Sequence, residues 1–131
     1  MTALSNFAED LLSKFLFNAA AATRPTAWYV ALHTADPGET GATAEITGAG
    51  GYARQGSIAF TANGDGTTDN DATITFGPCS GSDWGTITHV SIWDAVTGGN
   101  CLIKGALTAS KTVAVGDSLQ FAAAALVPQL T

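Results

Sequence analysis

Three residues with the chemistry of a metal or acid–base site lie close together early in the chain. The stretch ALHTADPGETG, residues 31–41, places His33, Asp36 and Glu39 near one another. An imidazole and two carboxylates can bind zinc or transfer protons. A catalytic zinc, however, needs three ligands held by neighbouring elements, whereas these residues flank a Pro-Gly turn and His89 is the only other histidine. We therefore expect a turn in which Asp36 accepts a backbone N–H, and no catalytic residue, metal or cofactor.

Other stretches could carry chemistry but fit ordinary structural roles better. The glycines of residues 48–51 precede the strand-like YARQ, not the helix that a phosphate loop requires. Three tryptophans could stack on sugars, but they favour core positions. An acidic run lacks the spacing and final glutamate of a helix–loop–helix calcium site, so we expect a solvated hairpin end, with loose calcium binding as the alternative. The three tryptophans are Trp28, Trp84 and Trp93. The acidic run consists of Asp65, Asp69, Asn70 and Asp71.

Length and charge narrow the class of protein. A chain of 131 residues is the size of one domain, and only 12% of its residues are charged. The net charge of −6 and the lack of a Lys/Arg cluster disfavour binding to nucleic acid and to anionic membranes. Glu9 and Asp10 interrupt the region where an export signal would need apolar residues, so we expect none. Without export, Cys79 and Cys101 are expected to be free thiols.

The elements that position these residues begin with a helix. Apolar residues from Leu4 recur at steps of three and four, which predicts an amphipathic helix over residues 4–22. Ser5 or Asn6 can cap it, and Pro25 ends it.

Alternating patterns dominate the rest of the chain. Residues 28–33, 52–60, 72–76, 85–93, 101–107, 112–115 and 118–130 read as strands, separated by Gly-, Asn- and Asp-containing turns. The segment 85–93, GTITHVSIW, has apolar residues on both faces and is predicted to be a central strand. The pattern predicts a mainly β fold, an antiparallel β-sandwich or jelly roll with one N-terminal α-helix. We expect a helical arm at residues 1–24 and a β-sandwich domain at residues 25–131.

A set of ordered segments resembles a known family. These segments are YVALHTADPGETG, GGYARQ, WGTITHVSIWDA, GGNCLIKGAL, KTV and GDSLQF, which together span roughly residues 26–130. In this order they resemble small virion proteins of tailed bacteriophages, which include capsid cement (decoration) subunits and tail-fibre-like proteins. The resemblance implies that ALHTADPGE belongs to a structural module.

The function expected from this resemblance is structural and non-enzymatic. The first expectation is a capsid cement protein that binds the assembled major capsid protein lattice, on the capsid exterior of a virion assembled in the host cytoplasm. A tail or tail-fibre component is the alternative, and a carbohydrate-binding module is a further one. The expected partners are the major capsid protein or other virion proteins, in a homo-oligomer or in many symmetric copies, with no nucleic acid or membrane.

Two segments are expected to form the binding surface. The glycine-rich loop of residues 36–51 carries little apolar surface, so we expect a partner to order it. The helix precedes Pro25 and could swing away to lie on a neighbouring subunit. The predicted interface residues are Phe7, Leu11, Phe15, Asp36, Pro37, Glu39, Ile46 and Tyr52.

Overall fold

The protein is mainly β, with antiparallel sheets and one α-helix. The computed structural model describes residues 2–18, 21–47, 50–56 and 59–128. The elements are β1 (Thr2–Leu4), α1 (Asn6–Phe17), β2 (Tyr29–His33), β3 (Phe60–Ala62), β4 (Thr68–Asn70), β5 (Ile74–Phe76), β6 (Gly85–Trp93), β7 (Cys101–Val113) and β8 (Leu119–Phe121). This arrangement confirms the predicted fold class.

The main sheet has four strands in the order β1-β7-β6-β2, all antiparallel. Strand β6 lies between β7 and β2, which confirms the prediction of a central strand there. Two ribbons, β3–β4 and β5–β8, complete the β structure among the described residues. Side chains from β2, β5, β6, β7 and β8 share one hydrophobic core, so the β5–β8 ribbon packs against the main sheet as in a sandwich.

A bulge in the β6–β7 hairpin explains why one predicted side-chain direction is wrong. Strict alternation along β6 predicts that Ile87 lies on the face opposite to Val90 and Ile92. The pairing shifts between Ile87 and His89, so that Ile87 pairs with Lys111 and His89 with Ala106. A bulge of this kind turns the strand locally. Ile87 is consequently fully buried in the main core together with Ile92.

The helix is shorter than the sequence predicted. The predicted helix ran from Leu4 to about residue 22, whereas α1 covers Asn6–Phe17. Leu4 belongs instead to β1, where it pairs with Ile103. Ser5 is the N-cap, as expected, because its hydroxyl accepts the N–H of Ala8.

Several strand boundaries also differ from the predictions. Within residues 52–56 there is a single bridge, Val30 to Gln55, and the strand that follows begins only at Phe60; Ile58, predicted to point inward, lies outside the described residues. The predicted strands 101–107 and 112–115 are one continuous strand, β7. Within the described part of the last predicted strand, 118–130, only β8 at residues 119–121 is a strand, and a turn follows it; residues 129 and 130 lie outside the described residues. The described part of the chain holds no helix long and apolar enough to cross a bilayer.

Candidate functional site

The residues that first suggested a chemical site point in different directions. His33 ends β2 and is fully buried, whereas Asp36 and Glu39 are exposed in the following turn. The described residues contain no cluster of three or more histidine, cysteine, aspartate or glutamate side chains placed to hold a metal. The three side chains therefore need separate explanations.

His33 takes part in a buried chain of hydrogen bonds. Its Nδ1 lies 2.8 Å from the carbonyl oxygen of Thr43, so Nδ1 carries the proton and donates it. Nε2 then accepts from the hydroxyl of Ser91 at 2.7 Å, and Ser91 in turn accepts the indole N–H of Trp93 at 2.7 Å. Burial lowers the pKa of His33 below its usual value of 6.5, which keeps the ring neutral.

A serine hydroxyl donating to a histidine is also the arrangement of a nucleophile and its base. Here His33 is 0% exposed and Ser91 is 1% exposed, and each ring nitrogen already has a partner. A substrate would have to reach the Ser91 oxygen, which is covered by its own fold. The arrangement holds β2, β6 and the loop at Thr43 together.

Glu45, Arg54 and Tyr52 form a second polar cluster beside this chain. The Arg54 guanidinium makes two 2.7 Å contacts with the Glu45 carboxylate, one from Nε and one from an Nη atom. Tyr52 donates to Glu45 at 3.0 Å. Burial is the largest single influence and opposes ionisation of Glu45, but the hydrogen bonds and charge of Arg54, together with the hydrogen bond from Tyr52, lower the pKa of Glu45 overall. The cluster is therefore charged and internally paired.

Arg54 also joins this cluster to the sheet. Its guanidinium carbon lies 3.8 Å from the ring centre of Trp93, a cation–π geometry. The same side chain donates to the carbonyls of Ala95 at 3.1 Å and Gly98 at 2.9 Å. One arginine thus links residues 45–54 to the turn between β6 and β7.

Asp36 and Glu39 both form ion pairs with a lysine of the main sheet. Lys104 on β7 lies 2.8 Å from Asp36 Oδ1 and 3.5 Å from Glu39 Oε1. Asp36 also accepts the N–H of Gly38 at 2.9 Å, as predicted for a turn-capping aspartate. The hydrogen bond from Lys104 is the main reason that the pKa of Asp36 is lowered.

These contacts correct the prediction that a partner must order residues 36–51. The described part of this loop is held by its own domain, through the buried side chains of Pro37 and Ile46 and through the pairing of Glu45. Sequence reasoning missed Glu45 and Arg54. A signal was present, because they are the only charged residues between Glu39 and Asp65 and have opposite signs.

Both cysteines are buried and free, as expected, but neither is placed for reaction. Burial raises the pKa of the Cys101 thiol to about 11, so the reactive thiolate is scarce at neutral pH. Trp84 and Trp93 are buried in two packed clusters and Trp28 packs partly buried against the main core, in agreement with the expected core positions.

The apolar surface of α1 contrasts with this well-packed body. None of its residues is buried. Phe7 and Leu11 are half-buried, and the helix packs on β7 and β1. Beyond these, Phe15 is 74% exposed, Leu16 57% and Phe17 85%. Three large apolar side chains exposed together at the end of one helix are typical of an interaction surface.

A groove lies along one side of this helix. It has a volume of about 310 Å³ and is lined by Leu4, Ala8, Leu11, Leu12, Phe15, Ala22 and Arg24. Among the described residues that line it, Arg24 alone is charged. We call this feature the α1 groove.

The predicted interface residues fall into three groups in the structure. Phe15 is exposed on α1, with Phe7 and Leu11 half-buried at its base. Asp36 and Glu39 are exposed beside Lys104. Pro37 and Ile46 are buried, with Ile46 in the main core, and Tyr52 is half-buried and stacks on Phe76.

A comparison with family models places this architecture in a known group. The model described as podophage GP4 fiber I protein gp80 matches residues 3–129 of the chain. The chain belongs to this family. Membership of the podophage fiber I family makes it a structural protein of a phage virion, of the tail-fibre-like kind. Among curated proteins, none matches the chain.

The fiber I family match covers α1 and all described residues from Ala3 onward. It therefore includes the exposed helix as well as the sheet. It confirms the resemblance to small phage virion proteins that the ordered sequence segments indicated.

Proposed function

We propose that the chain is a non-enzymatic tail-fibre component that attaches to other virion proteins through α1. The observation that carries this proposal is the exposure of Phe15, Leu16 and Phe17 on a domain whose other aromatic side chains are buried or half-buried. The family match supports a fibre role over the capsid cement role expected first from the sequence.

The contrast in burial supports attachment through the helix. The Phe76 ring is fully buried in the core, whereas Phe15 and Phe17 on α1 are largely exposed. Burying apolar surface contributes about 25 cal/mol per Å², so two exposed phenylalanines represent several kcal/mol that the isolated chain does not use. A partner that covers them gains this free energy.

The division between a helical arm and a sandwich domain is part of the proposal. Residues 1–24 provide the attachment surface, although β1 is paired within the sheet. Residues 25–131 provide a rigid support. Within the predicted interface, Phe7, Leu11 and Phe15 make the contact, and Asp36 and Glu39 lie at its rim.

The members of the predicted interface that pack inward have a different proposed role. Pro37, Ile46 and Tyr52 support the loop from inside and do not contact the partner. Tyr52 does so through its hydroxyl, which donates to Glu45 and accepts the N–H of Leu32 at 3.1 Å.

Location in the virion tests the proposal directly. The copy number per particle is measured from quantified gel bands against the major capsid protein, and a gold-labelled C-terminal tag is located by electron microscopy. We expect a few to a few dozen copies, with gold at the tail. Hundreds of copies with gold on the capsid exterior would establish the cement role instead and overturn this proposal.

A pair of variants tests whether α1 is the attachment surface. In Phe15→Ser/Leu16→Ser we expect incorporation into particles to fall at least tenfold, because the apolar contact is removed. Val115→Ser is the matched control, since Val115 is 53% exposed and lies in the turn after β7. Equal incorporation of both variants would show that attachment lies elsewhere.

A further inference from the structure

The α1 groove and the most exposed ring of the helix lie on different sides of α1. Phe15 lines the groove, whereas Phe17 does not. Residues two positions apart on a helix are about 200° apart around its axis and do not face each other. The Phe17 side chain therefore points away from the groove of its own chain.

The groove has the size and polarity to hold an aromatic ring. An apolar cavity of about 150 Å³ binds one benzene molecule. The α1 groove, at about 310 Å³, has room for a phenyl ring and part of a neighbouring side chain. Its walls are apolar apart from Arg24. Phe17 is 85% exposed and is the most exposed large apolar side chain among the described residues.

Charge on the two sides of the helix is complementary. The side that bears Phe17 also carries Glu9, Asp10 and Lys14, with a net charge of −1. Lys14 is already paired with Asp10 at 2.6 Å, which leaves Glu9 without an ion-pair partner among the described residues. The groove side carries the positive charge of Arg24. Opposite charges on two surfaces favour their approach and suppress wrong pairings.

From these three observations we propose that the occupant of the α1 groove is Phe17 of a second copy of this chain. The inference rests on the proposed role of α1 in attachment and names the partner. Because ring and groove lie on different sides of one helix, the contact is head-to-tail. Each copy offers a ring to one neighbour and a groove to another, so the contact generates a closed ring or an open row of subunits.

The contact is weak between two free copies. An aromatic side chain buries roughly 150–250 Å², far less than the about 800 Å² per partner of a stable interface. It becomes effective when neighbouring copies are held together, because a tether raises the local concentration into the millimolar range. The contact therefore orders subunits that are already gathered in one assembly.

Photo-crosslinking of the isolated protein tests this contact without requiring tight binding. Phe17 is replaced by p-benzoylphenylalanine, and equal amounts of unlabelled and ¹⁵N-labelled protein are mixed at about 1 mM, the range of tethered concentrations. After illumination we expect mixed-isotope cross-links from position 17 to groove residues such as Ala8, Leu12 and Ala22. The same photoreactive residue at position 115 is the control, and we expect it to give at least tenfold less groove product.

The alternative outcomes each overturn the proposal. Cross-links from position 17 only within one chain would show that the ring reaches its own groove. Intermolecular cross-links between two position-17 sites, with none to the groove, would show a two-fold contact between rings. No intermolecular product above the position-115 control would show that the groove takes some other partner.

Two complementary variants test the head-to-tail arrangement. Phe17→Ser removes the ring, and Ala8→Trp fills the groove; Ala22→Trp is the substitute if Ala8→Trp does not fold. By analytical ultracentrifugation at about 1 mM, we expect wild type to form species beyond the dimer and each variant alone to be monomeric. An equimolar mixture should stop at a 1:1 dimer, because one ring and one groove remain.

Wild type that stops at a dimer would exclude a head-to-tail contact. These outcomes are independent of the virion experiment. A chain found at the tail whose position-17 cross-links miss the groove would retain its fibre function and lose only this contact.

Discussion

From the sequence, both the loop of residues 36–51 and the N-terminal helix were expected to need a partner, but the structure separates α1 from the 36–56 segment that contains this loop. The 36–56 segment is rich in glycine and small residues, yet its described residues are bound to the sheet by His33, Lys104 and Arg54. Helix α1 is rich in leucine and phenylalanine, yet none of its residues is buried. A shortage of apolar residues therefore does not show that a segment is unsupported, because polar contacts to the sheet can hold it. Conversely, many apolar residues in a segment do not show that these residues are buried within the same chain.

Gly41 packs closely against Cys101 and Trp93 of the sheet, and its substitution should have the largest effect that we predict within the 36–56 segment. Its φ is +74°, and an added Cβ would lie 2.5 Å from Cys101 Cβ and 2.8 Å from the Trp93 ring. We expect Gly41→Ala to lower the free energy of unfolding by about 3 kcal/mol, from overpacking and left-handed strain. Urea denaturation measures this change.

Gly64→Ala separates the two causes. Gly64 has a φ of +82°, but an added Cβ there would have nothing within 4 Å. We expect a loss of only about 1 kcal/mol, the cost of the backbone conformation alone. Equal losses in the two variants would mean that the 36–56 segment is not packed closely on the sheet.

Arg54 makes the polar contacts on which the same segment depends. Arg54→Ala removes the ion pair with Glu45 and the contact with Trp93, and leaves a largely buried carboxylate unpaired. We expect a loss of about 2–3 kcal/mol in the free energy of unfolding, measured by urea denaturation.

Lys104→Ala is the matched cation control for Arg54. The carboxylates of its partners Asp36 and Glu39 are 65% and 56% exposed, so water can replace Lys104. We expect a loss below about 1 kcal/mol. A larger loss for Lys104→Ala than for Arg54→Ala would reverse the importance that we assign to the two cations.

The buried His33 predicts that the stability of the protein depends on pH. Its pKa in the folded protein is lowered from 6.5, so below pH 6.5 the unfolded state takes up the proton first. Stability therefore falls as pH decreases through 6.5 towards the lower folded pKa. Between about pH 6.5 and 5 we expect a loss on the order of 1 kcal/mol, from thermal unfolding at several pH values.

His33→Gln should remove this slope while leaving the effects of acidic groups at lower pH. The pKa values of Glu45 and Asp36 are lowered from 4.5 and 3.8, so stability from these carboxylates is present above those values and is lost below them. An unchanged slope between about pH 6.5 and 5 in the variant would assign the pH dependence to another group.

The smallest effect on stability is expected on α1. Phe15→Ala should change the free energy of unfolding by less than about 0.5 kcal/mol, because the ring is already exposed to water. Phe76→Ala, the same substitution at a fully buried ring, should cost about 3–5 kcal/mol. Calorimetry of the two variants compares them. A large loss for Phe15→Ala would show that α1 is part of the folding core.

The features that depend on local sequence were predicted well. The alternation of residues 28–33 places Val30 and Leu32 in the main core, as expected. Ser5 caps α1 because its short hydroxyl reaches the N–H of Ala8, a contact set by nearest neighbours. Asp36 likewise binds the N–H of Gly38 within its own turn.

Features that depend on distant pairing were not predicted. The length of β7 and the bulge at Ile87 follow from how β6 and β7 align, which alternation alone does not determine. The pairing of Arg54 with Glu45 needs the segment between them to fold back on the sheet. The exposure of α1 was expected in outline, but the residues differ, because Phe7 and Leu11 face the body while Leu16 and Phe17 do not.

Ser5 gives this molecule a mechanical property. Its N–H donates to the carbonyl of Leu102 at 3.0 Å, and its hydroxyl donates to the carbonyl of Cys101 while accepting the N–H of Ala8. The next N–H, of Asn6, donates to the carbonyl of Glu39 at 3.1 Å. A pull applied to the helix is therefore passed at its first turn to the long β7 strand and, through the antiparallel ladder, to β6. Tension on a fibre would load many backbone hydrogen bonds together, and the helix would stay fixed at its base while its far end is pulled.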